Sequence, residues 1–197
     1  MNRMTLQREE TVLVLIDIQE RLMSGMNDGD AMEKAVVKLV KGCRVLDVPI
    51  LVTQQYTKGL GPTAAAVAEA LTGATDDQTT AGGQTAPFSP IEKTSFSAMR
   101  EPEFVQALEE TGRRSVVIVG VEAHVCVLQT AIHLIETGYD VFVALDCIAS
   151  RKVADKETGQ IRMAQSGVIV TGCETILFEL LGDAKDPCFK QISAIVK

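Results

Sequence analysis

The run Thr11-Val12-Leu13-Val14-Leu15-Ile16 constrains this chain more than any other stretch. It is almost continuously apolar, rich in β-branched residues, and stops at Asp17. A strand with one wet face alternates apolar and polar side chains. A strand without that alternation is covered on both faces, as the central strands of parallel sheets are. Further strand signals fall at 49–53, 89–92, 115–120, 139–145 and 168–170. Helical stretches fall between and after them, at 31–46, 64–71, 102–111, 123–137, 157–166, 173–181 and 186–196. Pro102 stands in a first helical turn, and Gly112, Gly138 and Gly167 each follow a helix end. Strands alternating with helices specify an α/β protein: one three-layer α/β/α domain over 1–197, with a six-stranded, mostly parallel, Rossmann-like sheet. Residues 54–61 read as a loop. The polar stretch 72–87, rich in Gly, Thr and Gln, reads as an irregular surface excursion.

Composition removes several classes of function. The net charge is −7, there is no basic run and no Trp. Phosphate backbones are gripped by Lys and Arg, so nucleic acid is not an expected partner. No stretch has the ~18 consecutive apolar residues of a membrane span. The first ten residues lack an apolar core of the secretory kind, which points to the cytoplasm. The five cysteines are odd in number and form no Cys-x-x-Cys pair, so a disulfide framework is not expected. With only two histidines and no recognisable ligand spacing, no metal site is expected. No glycine-rich phosphate loop follows a strand, so no nucleotide cofactor is expected either.

In doubly covered parallel sheets, ligands bind beyond the carboxyl ends of the strands, near the switch in strand order. Asp17 follows the first strand, Lys93 the third and Cys126 the fourth. A cysteine in the first helical turn after a strand meets backbone amides and the positive end of the helix dipole, which favour a thiolate. Asp17 is placed to accept its proton, and Lys93 to lower the thiol pKa and stabilise developing negative charge. Each residue also has an ordinary reading: a loop-capping aspartate, a surface lysine, a small buried hydrophobe. His124 is a rival base, but residues two apart on a regular helix do not face each other. It reads as a pocket-wall or capping residue, and His133 as exposed. Cys43, Cys147, Cys173 and Cys188 read as structural.

Taken with their contexts, Val14-Leu15-Ile16-Asp17-Ile18-Gln19, Glu92-Lys93-Thr94-Ser95-Phe96-Ser97 and the segment 120–131 around Cys126 resemble the isochorismatase-like cysteine hydrolases over nearly the whole chain. That superfamily includes nicotinamidases and N-carbamoylsarcosine amidohydrolases. Gln54-Gln55-Tyr56 and Gly59-Leu60-Gly61-Pro62 are similar to the isochorismatase domain-containing subgroup. The resemblance implies Asp17 as general base, Lys93 as charge stabiliser and Cys126 as nucleophile. It also implies a cis peptide at Val121-Glu122 and an oxyanion hole of backbone amides there and around Cys126, and a homo-oligomer.

Two departures narrow it. Nicotinamidases carry a metal-binding Asp-x-His after the second strand, where this chain has Thr53-Gln54-Gln55-Tyr56-Thr57. True isochorismatases cleave a vinyl ether without a cysteine nucleophile. The expectation is a metal-independent hydrolase of a small amide, imide or carbamoyl compound acting through a Cys126 thioester. Gln19, Gln54, Tyr56, Phe96 and His124 are the expected pocket walls. Two other readings stand beside it: a catalytically silent binding, assembly or redox-sensing protein, and a ribonuclease or RNA-binding protein.

Overall fold

In the computed structural model, which describes residues 4–73 and 88–197, the apolar run is strand β1 (Thr11–Ile16) and all its residues are buried. It pairs with β2 (Ile50–Gln55) on one side and β4 (Ser115–Val121) on the other. β3 (Ile91–Lys93), β5 (Asp140–Ala149) and β6 (Ile169–Thr171) complete a six-stranded sheet of order β3-β2-β1-β4-β5-β6. Every pairing is parallel, where the sequence promised only a mostly parallel sheet.

The absence of alternation in β1 has a direct cause. Leu13 and Leu15 enter one apolar core, together with Val117, Val119 and Phe142. Val12, Val14 and Ile16 enter a second, with Val116, Ile118 and Val143. The first core is closed by α2 (Gly29–Val45), α4 (Ala65–Thr72), α8 (Cys173–Leu181) and α9 (Phe189–Val196). The second is closed by α5 (Pro102–Glu110), α6 (Leu128–Glu136) and α7 (Val153–Gln165). This is a single-domain, three-layer Rossmann-like α/β/α fold.

Four local readings are revised. The loop expected at 54–61 holds a one-turn helix, α3 (Thr57–Leu60), and another single turn, α1 (Glu20–Met23), follows β1. α7 begins at Val153, ahead of the expected residue 157. β5 runs on to Ala149 through a bulge. Ala123–Val127 forms a π-helical turn before α6, where a regular helix was expected. Of the expected excursion at 72–87, residues 74–87 lie outside the described ones.

Strand order reverses between β1 and β4, the switch point at which such sheets bind ligands. These two strands carry Asp17 and Cys126 just beyond their ends. Gly120 brings the ends together. It stands opposite Ile16 at φ 125°, and a Cβ there would lie 2.0 Å from the Ile16 carbonyl oxygen. Only glycine permits that approach.

Candidate active site

Asp17 is fully buried and turns out of β1 with φ 53°. Its carboxylate accepts two hydrogen bonds. The Thr53 hydroxyl donates to Oδ1 at 2.8 Å, and Lys93 Nζ donates to Oδ2 at 2.6 Å. Lys93 is 1% exposed, so its ammonium must find its partners inside the protein. Besides Asp17 it donates to Gln55 Oε1 at 2.6 Å and to the carbonyls of Ser95 and Phe96 at 3.2 and 3.3 Å. An ammonium has three protons, so these four acceptors saturate it. The ion pair is rigid and dry, in contrast to the mobile, weak pairs of protein surfaces.

Cys126 is 7% exposed and interacts with both members of the pair. Burial pushes its thiol up to about 12, the Asp17 carboxylate adds to the rise, and Lys93 pulls against it. This reverses the sequence expectation of a thiol already lowered by Lys93 and a helix end. Desolvation outweighs the nearby cation, and Cys126 sits in the π-helical turn, whereas the expectation needed the first turn of a regular helix. Burial therefore favours the neutral thiol beside the Asp17 carboxylate.

The Val121-Glu122 peptide is cis. The amides of Val125 and Val127 both donate to the Glu122 carbonyl. Burial alone would raise the Glu122 carboxyl. Hydrogen bonds from the Arg151 amide and side chain, with the charge of Arg151, hold it below its ordinary value. His124 turns to Ser150, with Nδ1 3.0 Å from Oγ, and its Nε2 is 3.9 Å from Asp155. It anchors the π turn to the end of β5 and the start of α7. Gly159 of α7 makes room for this contact, because a Cβ there would lie 2.9 Å from the Ala123 carbonyl oxygen and from His124 Cα.

The remaining expected pocket residues separate. Gln19 is fully buried and works as a clamp. Its amide nitrogen donates to the carbonyls of Gln55 and Gly61, and its oxygen accepts the Gln55 amide. Gln54 is buried too, and its side chain is committed to Thr63 and Thr57. The strand alternation of β2 instead delivers Thr53 and Gln55 to the Asp17–Lys93 pair, and neither was singled out from the sequence. The period of two was the available signal: once Thr53 faces Asp17, Gln55 does and Gln54 does not. Tyr56 and Phe96 are 52% and 54% exposed. They follow β2 and β3 on the site's edge of the sheet, and the Phe96 carbonyl is one of the Lys93 acceptors. His133, expected to be exposed, is half-buried, and its Nδ1 lies 2.8 Å from Ser97 Oγ.

Residues 11–175 match the isochorismatase domain. The chain belongs to the isochorismatase family. Isochorismatase domain-containing protein 1 of Salmo salar is 39% identical over 188 residues. That match takes in 95% of this chain, which spans only 61% of the salmon protein's length. Among solved structures, the MAR1 ribonuclease of Caenorhabditis elegans is 31% identical, with a TM-score of 0.86 over 98% of this chain and 92% of that one. The Escherichia coli YcaC gene product, described as an octameric hydrolase of unknown specificity, shares the fold. It has a TM-score of 0.86 at 23% identity, over 99% of this chain and 90% of its own. Within the isochorismatase family fold, the buried Asp17–Lys93 pair and Cys126 occupy the strand ends at the switch in strand order. Among the described residues, no helix is long and apolar enough to cross a membrane.

Proposed function

We propose that this isochorismatase-family chain is a hydrolase that cleaves a small amide, imide or carbamoyl compound through a thioester on Cys126. One observation carries the reading: a nearly buried thiol interacting with a saturated, fully buried Asp17–Lys93 pair. A structural cysteine needs no such partner, and burying an ion pair beside one is costly unless the charges are used.

The chemistry runs in two halves. Asp17 takes the thiol proton as Cys126 Sγ attacks the carbonyl carbon. The resulting oxyanion is met by backbone amide. Because the amides of Val125 and Val127 are engaged with Glu122, the reading takes the Cys126 amide as donor. Collapse breaks the C–N bond, and Asp17 returns its proton to the leaving nitrogen. Water then attacks the thioester carbonyl, with Asp17 taking a proton from the water. The acid departs, and the proton returns to Cys126 Sγ. Lys93 holds Asp17 in place throughout and offsets its charge. Tyr56 and Phe96 supply exposed apolar surface at the mouth, and a homo-oligomer of the kind described for YcaC is the assembly this reading expects.

The test is a panel of small amides, imides and carbamoyl compounds with wild-type protein and Cys126→Ala. Turnover with an acyl adduct on Cys126 by intact mass, both absent in the variant, is the expected result. Equal rates in the two proteins would remove Cys126 as nucleophile.

A second reading rests on the 31% identity to the nematode MAR1 ribonuclease. RNA cleavage at near-physiological salt that survives Cys126→Ala would favour it. A net charge of −7 weighs against it, since RNA affinity rests largely on basic contacts.

A further inference from the structure

A second cluster of reactive side chains sits on the other face of the sheet, away from Asp17, Lys93 and Cys126. It arises from the bulge in β5. Val143 pairs with Ile118 of β4, and Ile148 pairs with Gly120. Between these pairs β4 has only Val119, while β5 has Ala144, Leu145, Asp146 and Cys147. On a regular strand the neighbours Asp146 and Cys147 point to opposite faces. Here a carboxylate oxygen of Asp146 and the sulfurs of Cys147 and Cys173 all lie within 4.8 Å of one another. Cys173 is the first residue of α8, and its amide donates to both Asp146 oxygens, at 2.9 and 3.2 Å.

We propose that Asp146, Cys147 and Cys173 form a binding site for a thiophilic divalent cation of the zinc class. The donor set is two sulfurs and a carboxylate, the mixture that suits zinc and its heavier congener cadmium. A tetrahedral ion with Zn–S bonds of about 2.3 Å holds its sulfurs roughly 3.8 Å apart, so the observed spacing needs little rearrangement. Ligating carboxylates are themselves held by hydrogen bonds, as the Cys173 amide holds Asp146. Cys147 is wholly buried and Cys173 nearly so, whereas Asp146 is exposed and gives an ion its way in. Sulfur binds such a cation as thiolate, so binding releases thiol protons to solvent as the cation takes their place. The sequence could not show this site, because Cys147 and Cys173 are far apart in the chain and meet only through the bulge.

Occupancy would pin the bulge. Beyond it, Ile148 and Ala149 pair with Gly120 and Val121, and Ser150 holds His124. The cation therefore sets the strand end on which the π turn of Cys126 rests.

The experiment titrates the reduced, chelator-treated full chain with Cd²⁺, following the sulfur-to-cadmium charge-transfer band, and with Zn²⁺, following thermal unfolding. One ion per chain and a rise in melting temperature are expected. Both should persist in Cys126→Ser and Cys188→Ser and disappear in Cys147→Ser and Cys173→Ser. Asp146→Asn, which keeps the side chain's shape, should weaken affinity by about tenfold or more. Any of three results would overturn the proposal. They are no uptake by the reduced wild type, uptake unchanged in the Cys147 and Cys173 variants, and a Cys147–Cys173 disulfide forming in peroxide with no ion taken up by the reduced protein. None of these readouts depends on hydrolytic activity.

Discussion

Lys93 Nζ lies 2.6 Å from Asp17 Oδ2, and neither side chain reaches solvent. Removing one partner strands the other charge in a dry site, which costs about 3–5 kcal/mol. Asp17→Asn keeps a group that can accept the Thr53 hydroxyl but takes the counter-charge from Lys93. It should lower the unfolding free energy by about that amount in urea titrations and reduce turnover to background. Asp17→Asn combined with Lys93→Met should recover at least half of the lost stability and none of the activity. A single-variant cost below about 1 kcal/mol would mean that the pair behaves like one at a surface.

The fold was legible because β1 lacks alternation and each strand is followed by helical punctuation. The meeting of Asp17, Lys93 and Cys126 was legible because all three follow strands on one edge of the sheet. Three things were not. The π turn continues the apolar spacing of α6, so nothing in residues 123–137 separates it from a regular helix. The bulge in β5 is a matter of pairing with β4, which no residue of 144–147 announces. The raised Cys126 thiol depends on burial from several elements at once, whereas sequence reasoning saw only the single cation of Lys93.

Gln54 and Gln55 are adjacent and alike, yet their side chains serve opposite faces. Gln55→Leu removes an acceptor from the buried Lys93 ammonium. It should cost about 1–3 kcal/mol and lower turnover by the folded protein. Gln54→Leu breaks the bonds to Thr63 and Thr57, costs a similar amount, and should leave kcat/KM unchanged. Steady-state kinetics on both variants, corrected for folded fraction, decide the matter. The reverse pattern would mean that the wrong face of β2 has been assigned to the site.

Gly120→Ala should be the most damaging glycine substitution near the site. Its Cβ would meet the Ile16 carbonyl at 2.0 Å, and backbone on both strands has no freedom to yield. Together with φ 125°, this predicts a loss of about 3 kcal/mol or more. Gly138→Ala is the matched control. It also has positive φ, but nothing lies within 4 Å of its added Cβ, so about 1–2 kcal/mol is expected. Equal midpoints for the two in chemical denaturation would argue against the close approach of β1 and β4.

The Cys126 thiol gives a pH signature with a definite sign. Its ordinary value is 9.0 and burial carries it to about 12 in the folded chain. A group raised on folding favours the protonated form in the native state. Its contribution to stability is therefore complete below pH 9 and is lost as the pH climbs toward 12. Native protein should react slowly with iodoacetamide at pH 8, and the Cys126 rate should still be rising above pH 10, where an exposed thiol has levelled off. Peptide-resolved mass spectrometry separates Cys126 from the other cysteines. A rate that plateaus near pH 7 would show a preformed thiolate, and would mean that Lys93, and not burial, sets the state of the nucleophile.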